Sequence, residues 1–435
     1  MEIFSRFAKC FGFFLDPDRF AQSFYAPEPF GHPSRPSRAL LSAIYLCSIA
    51  LSGNVNLTPY EPVFLSRALY YATMAPSCTH PSGVKHALQA EILIANYFFV
   101  HGLIPEGKSH IDTAMLIATV HRGHKIRRIS SSEGVEVIEQ RERVNGFWLT
   151  YFFDKCWSIA GGMLSTSPNG LTEETRIDTP WPMEPQNFRN VSTRPTFWLF
   201  MIDADAFVQI QPEQEVLGYD TINRFLTNPA SSFAEEDVSK FSMACKAVTL
   251  LDRAHSLGLN WSTGLAHQFR VVGLITNEFC FSPSTLVTSD QERADLATKL
   301  TAMRLAIQAF KDTIAPLPVG ANIQNSLVTI HAIILLASIR LDMASSWTKS
   351  SVENALAVVT LVDDTSFENI GHVHPILGFL LTAVGQVFVD ELIRIRGLTS
   401  KSEEDTEQET EMKNAADRLA AALEACGVNS PYICE

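Results

Sequence analysis

Apolar positions along this 435-residue chain recur at helical spacing from one end to the other. Ile3, Phe4, Phe7, Phe11 and Phe14 make an aromatic stripe, which predicts a short first helix stopping before Asp16 and Pro17. The proline-rich segment Tyr25 to Arg38 reads as a loop, and Ala39 to Leu51 as an apolar helix ended by Ser52 and Gly53. Further periodic segments lie near 62–74, 84–100, 109–122, 195–210, 234–257, 262–278, 290–313, 321–343, 351–362 and 375–396. Capping boxes at Thr58/Glu61, Ser232/Glu235, Ser289/Glu292 and Ser350/Glu353 mark expected helix starts. No segment alternates as a strand would, and no hairpin turn sits between two strand-like runs. The predicted fold class is all-α: a single large array of packed helices.

One segment differs from the amphipathic helices around it. From Val144 to Leu164, the side chains of Phe147, Trp148, Tyr151, Phe152, Phe153, Trp157, Ile159 and Met163 point all round a helical wheel. A helix apolar on every side is a buried one, so this is the expected central helix. Asp154, Lys155 and the charged lead-in Glu139 to Arg143 argue against a membrane span here. The apolar runs near 39–52 and 327–339 also fall short of the ~20 residues that a bilayer requires.

With no clean repeat and no long flexible linker, residues 1–397 read as one helical domain with an internal loop at 165–194. Residues 398–413 carry Glu403, Glu404, Asp405, Glu407, Glu409 and Glu411, and read as a solvated acidic linker; an acidic activation element is the alternative. Residues 414–435 then supply a C-terminal helix and tail.

The order of residues around the central helix resembles the fungal transcription-factor regulatory domain, the middle homology region. The matching residues are Arg141, Arg143, Phe147, Trp148, Tyr151, Asp154, Gly161, Gly162, Ile177, Asp178 and Pro182. The proline-containing loop before Ala-Leu-Leu-Ser-Ala-Ile-Tyr (39–45), and the Val120-His121-Arg122 step that ends a helix pair, are similar to the same family. One departure is plain: Gly162-Met163-Leu164 stands where the family commonly has Gly-Arg-Pro, so the turn is expected to be built differently. The resemblance implies a nuclear module that regulates transcription by contacting protein partners of the transcription machinery, with self-association as a further mode. It implies no enzyme activity and no cofactor. The family's six-cysteine binuclear zinc cluster has no counterpart here, so DNA contact is expected to need a partner or a further segment.

Charge supports that division, because a net charge of −13 repels the phosphate backbone. Eight cysteines, at 10, 47, 78, 156, 245, 280, 426 and 434, include no Cys-x-x-Cys pair and stand mostly in apolar surroundings, which reads as reduced core thiols. Neither Cys78, His80 and His86 nor His372 and His374 have zinc-site spacing. Asp363 and Asp364 lack the third acid of a magnesium motif.

The sharpest competing motif is Gly102-Leu-Ile-Pro-Glu-Gly107-Lys108-Ser109, which satisfies the P-loop pattern. A P-loop joins a buried strand to a helix, whereas 84–100 has helical length and helix formers. The expectation is therefore that Gly102 ends one helix, that Gly107 begins the next, and that Lys108 is dispensable for nucleotides. P-loop nucleotide binding and a plain helical scaffold remain the two alternatives. His121, Arg122, His124, Lys125, Arg127 and Arg128 read as a solvated cationic helix end rather than an import signal or anion patch.

Overall fold

The computed structural model describes residues 2–8, 11–75, 82–126, 134–182 (without 169 and 171), 220–229, 239–264, 290–314, 325–345, 349–363 and 375–429 (without 399 and 401). These residues form fourteen α-helices and, among the described residues, no strand. The all-α architecture is as the periodicity predicts.

The N-terminal third contains α1 (Glu2–Phe7), α2 (Pro17–Phe24), α3 (Arg38–Ala50), α4 (Glu61–Met74), α5 (Gly83–Val100) and α6 (Ile104–Val120). The aromatic stripe spans α1 and the turn after it, and α2 is an addition to the expected elements. Asp16 caps α2 by accepting from the Arg19 N–H at 3.1 Å, and Pro17 occupies its first position, where the missing N–H has no consequence. Ser37 likewise caps α3. Thr58–Tyr60 is a single 3₁₀ turn that leads into α4.

Helix α5 is buried almost all round. Leu88, Ile92, Ala95 and Phe99 enter the main core, while Ala90, Leu93, Ile94, Tyr97 and Phe98 join a smaller core with α1 to α4. Its buried polar groups all have partners, as a dry interior requires. Gln89 bridges the Phe14 N–H and the Gly12 carbonyl, Asn96 donates to the Phe11 carbonyl, and Glu91 meets His110 Nδ1 at 2.6 Å.

Helix α7 (Gly134–Gly161) is longer than the predicted Val144–Leu164 segment, because the charged lead-in Glu139 to Arg143 is itself helical. It packs between α6 on one side and α9 (Lys240–Gly264) on the other, with the short α8 (Thr221–Thr227) beside α9. Beyond α9 come α10 (Asp290–Thr313), α11 (Asn325–Ser345), α12 (Lys349–Asp363), α13 (Pro375–Arg396) and α14 (Glu403–Asn429), each packed on its neighbours. Within α13, Ile376–Arg396 is long and apolar enough to cross a membrane, a longer stretch than either apolar run noted above. Half of it is buried, and Leu377, Leu380, Leu381, Val384, Val387 and Phe388 belong to the main core, which accounts for its composition.

Three boundaries depart from expectation. Helix α6 begins at Ile104 rather than near 109, so Gly107 and Lys108 lie inside it. Ser350 sits within the first turn of α12, not before it, and donates to Asp342 at 2.8 Å. The acidic run 403–411 is not a linker: it is the opening of α14, whose Met412, Ala415 and Leu419 are buried while the carboxylates face out. Ion pairs Arg396–Glu409 and Arg418–Asp363 hold α14 to its neighbours. The helices expected over 195–210, over 262–278 beyond Gly264, and at the Ser232 cap lie outside the described residues, as do residues 183–194 of the internal loop.

Candidate functional site

The residues of the family resemblance converge on α7 and on an irregular strap, residues 163–182, that runs back along it. Gly162 makes the turn between them. Its φ of 62° lies in the left-handed region, and the Met163 N–H reaches back to the Ser158 carbonyl at 2.8 Å, which closes a Schellman cap. The Gly-Met-Leu departure thus still gives a glycine-terminated helix.

At this end of the strap lies Asp154, fully buried on α7. Its carboxylate accepts from Ser165 Oγ at 2.6 Å, from Ser167 N–H at 2.9 Å and Oγ at 2.5 Å, and from Thr166 N–H at 3.3 Å. Lys108 Nζ of α6 stands 3.0 Å away and also pairs with Asp112, which in turn accepts from Thr166 Oγ1. Burial alone pushes the Asp154 carboxyl upward. The Lys108 ammonium and the serine hydroxyls outweigh it and hold the acid below the usual carboxylate range. The partners of Asp154 are thus a lysine together with backbone and hydroxyl donors.

This geometry explains Gly102, Gly107 and Lys108 of the P-loop pattern without a phosphate. Gly102, at φ 70°, ends α5, with the Leu103 N–H bonded to the Phe98 carbonyl at 2.9 Å in a second Schellman cap. A Cβ on Gly107 would stand 2.4 Å from the Phe99 ring, so the glycine is there to let α6 lie close on α5. Lys108 points into the protein at Asp154. The strand that a P-loop requires is helix α5.

At the other end of the strap, residues 176–182 dock against α7 and the turn after α6. Trp148 Nε1 donates to the Pro180 carbonyl at 2.6 Å, and the Trp148 ring stacks on Trp181 with centroids 4.3 Å apart. Asp178 is buried between Arg176 Nε at 2.8 Å and Lys125 Nζ at 3.1 Å. Burial raises its pKa, but the hydrogen bonds from Arg176 and Lys125 win and lower it below the usual value. Thr179 Oγ1 donates to the Gly123 carbonyl and accepts from the Ile126 N–H. His124, buried and with its pKa lowered mainly by desolvation, places Nε2 3.0 Å from the Glu174 carbonyl. The cationic helix end is therefore only partly solvated: Lys125 and His124 grip the strap, while His121 and Arg122 are exposed. Pro182 ends the described part of the strap, its carbonyl accepting from Ser239 just before α9.

The remaining motif residues lie elsewhere on α7. Tyr151 reaches Thr249 of α9 at 3.4 Å, and burial pushes its hydroxyl pKa up. Phe147 packs edge-on to Trp148, and Gly161 leaves room for Met163. Arg141 pairs with Asp16 at 2.6 Å, far along the helix, beside the Lys85–Glu142 pair; Arg143 is exposed. Lys108 stood out in the sequence only through the P-loop pattern, and Asp112, Ser165, Ser167, Thr179 and Trp181 carried no signal of their own. An indirect signal existed for some of them, since a buried Asp on an apolar helix demands a cation and donors, and the Ser165-Thr166-Ser167 run follows it closely.

Chemically the site is a lock. Asp154 and Asp178 are ionised, enclosed and saturated with donors, which suits holding two chain segments together and ill suits general acid–base work. His86 accepts from the Ser37 N–H and Asp363 pairs with Arg418; Cys78, His80, Asp364, His372 and His374 lie outside the described residues. Among the described residues no three His, Cys, Asp or Glu side chains gather as a metal-ligand set. In comparisons with family models, curated proteins and solved structures, the chain has no match.

Proposed function

We propose that this chain is a helical regulatory module of transcription that works by contacting other proteins, as its resemblance to the middle homology region implies. The observation that supports it best is the convergence of Trp148, Asp154, Gly162, Asp178 and Pro182 on one strap-and-helix lock. These residues span more than thirty positions of sequence, yet Trp148 and Asp154 bond the strap to α7, Gly162 turns the chain into it, Asp178 ties it to the turn after α6 and Pro182 meets Ser239 before α9. A motif whose residues build a scaffold, rather than line a reactive cleft, suits a module that presents surfaces. On this reading the chain acts in the nucleus, engages the transcription machinery through protein contacts, and reaches DNA through a partner or a further segment. The charge of −13 favours that indirect route.

The test is a fusion of residues 1–435 to a foreign DNA-binding domain in a fungal host carrying a reporter. Reporter output should change, and a strap-unlocking substitution such as Asp154→Asn should weaken the effect. A well-expressed nuclear fusion that leaves the reporter unchanged across growth conditions would favour a plain helical scaffold.

A further inference from the structure

Helix α4 carries two apolar faces where one would suffice. Ala68, Ala72 and the half-buried Phe64, Leu65 and Leu69 pack into the smaller core. The opposite side presents Tyr60, Val63, Tyr70 and Met74, whose exposures are 57%, 63%, 58% and 53%. With Arg67 between them, these residues fall at steps of three, four, three and four, the a/d register of a coiled-coil seam. At about 100° per residue they occupy one stripe roughly 80° wide. Ser66 and Thr73 flank it, exposed and uncharged.

Arg67, at the middle of the stripe, is the second observation. Its guanidinium carbon lies 4.9 Å from the Phe30 ring centroid, 5.9 Å from Phe64 and 5.9 Å from Tyr71. Among the described residues no carboxylate stands within ion-pair distance of it, although the chain carries a net charge of −13. A cation parked over aromatic rings in an apolar seam has charge-pairing capacity left to use.

We propose that this stripe is a docking surface for an amphipathic helix of a partner protein, with apolar residues at the same 3-4 spacing and a carboxylate opposite Arg67. A second copy of the chain fits worse. Two-fold antiparallel pairing would set Arg67 against Arg67, and like charges across a seam select against such a pair. The area agrees: the four exposed side chains leave open roughly 400 Å² from the ~150–250 Å² that large side chains carry. Two such faces bury roughly 800 Å², short of the ~1,200 Å² at which stable complexes begin. The contact is therefore a transient helix-on-helix one. It stands independently of the transcriptional reading.

The probe is a fluorescein-labelled amphipathic peptide with leucine at every a and d position except a central a glutamate, compared with the same peptide carrying lysine there. Anisotropy titrations use the full chain. The glutamate peptide should bind with about micromolar affinity, and the lysine peptide about tenfold more weakly or worse. Val63→Asp should abolish binding without moving the thermal midpoint, since Val63 is mostly exposed and belongs to neither core, and Arg67→Glu should reverse the preference between the peptides. Should Arg67→Glu fail to fold, the peptide comparison on the parent chain together with Val63→Asp decides the matter. Equal binding of both peptides, no binding of either, binding that survives Val63→Asp, or a dimer in sedimentation equilibrium that Val63→Asp dissociates, overturns the proposal.

Discussion

Replacing Asp154 by asparagine removes one charge and almost no volume, so its effect measures the electrostatic part of the lock. In the parent protein the carboxylate balances Lys108 across 3.0 Å and accepts from two backbone N–H groups and two serine hydroxyls. Asparagine offers one acceptor oxygen and turns an NH₂ group toward those donors, and Lys108 is left buried beside it. Removing one member of a buried pair typically costs about 3–5 kcal/mol. Asp112, still paired with Lys108, and the rotatable hydroxyls of Ser165 and Ser167 soften the loss, so about 3 kcal/mol is expected here. The deficit must depend on pH. Because the folded pKa is depressed, the contribution of Asp154 is complete above the unfolded value of about 3.9 and fades as pH falls through the folded one, so parent and variant should converge in acid.

The assay is urea unfolding followed by tryptophan fluorescence, with limited proteolysis of the exposed 172–174 segment reporting the strap. Lys108→Met alone should be comparably destabilising, because it strands Asp154. The double variant should be less destabilised than the sum of the singles, by about 2 kcal/mol of coupling. Additive singles, or an Asp154→Asn loss below about 1 kcal/mol, would refute the lock.

Trp148→Ala should cost about 3–5 kcal/mol in the same unfolding assay, because it empties a fully buried site, unstacks Trp181 and leaves the Pro180 carbonyl unbonded. Gly107→Ala should destabilise by about 1–3 kcal/mol through the Phe99 ring, and calorimetry with magnesium and ATP should give only dilution heats for the parent and for Lys108→Ala. Micromolar nucleotide binding abolished by Lys108→Ala would restore the P-loop alternative. For His255, desolvation and the nearby Arg340 lower the pKa to about 4, against about 6.5 unfolded. The unfolded chain takes up a proton that the fold refuses, so stability should fall between about pH 6.5 and pH 4, by roughly 2–3 kcal/mol, and His255→Gln should flatten that slope.

The central helix was legible because its signal is compositional: aromatics on every side of Trp148 leave a helix no exposed face. The P-loop mimic was also readable, since residues 84–100 have the length and residue types of a helix, and α5 is one. The strap was legible only as far as its ends. Asp178 and Pro182 came from the resemblance, but nothing in their own pattern places Lys125 or Thr179 beside them. Such partners are fixed by the packing of α6 against α7, and single-sequence periodicity carries no information on contacts between elements. The acidic run 403–411 was misread for the opposite reason. Charge density dominates its composition, while the apolar register that makes it helix, Met412, Ala415 and Leu419, begins only after the acids end.

Neighbouring charges on α7 point in opposite directions, and this constrains how the proposed module can respond to anything. Asp154 holds α6 through Lys108, while Lys155 holds α9 through Asp252 at 3.1 Å. Near the start of the helix, Arg141 and Glu142 hold the N-terminal segment through Asp16 and α5 through Lys85. Sliding or rotating α7 relative to α5, α6 or α9 breaks at least one of these enclosed pairs, at about 3–5 kcal/mol each, before a new contact forms. The helix is thus a strut. In the proposed module a regulatory change therefore falls more readily on parts outside these pairs: the exposed residues 172–174 of the strap, or the outward stripe of α4. Freeing the whole strap would break the Asp154 bonds at one end and the Lys125–Asp178–Arg176 group and the Trp148–Trp181 stack at the other, and would open the main core at Ile177.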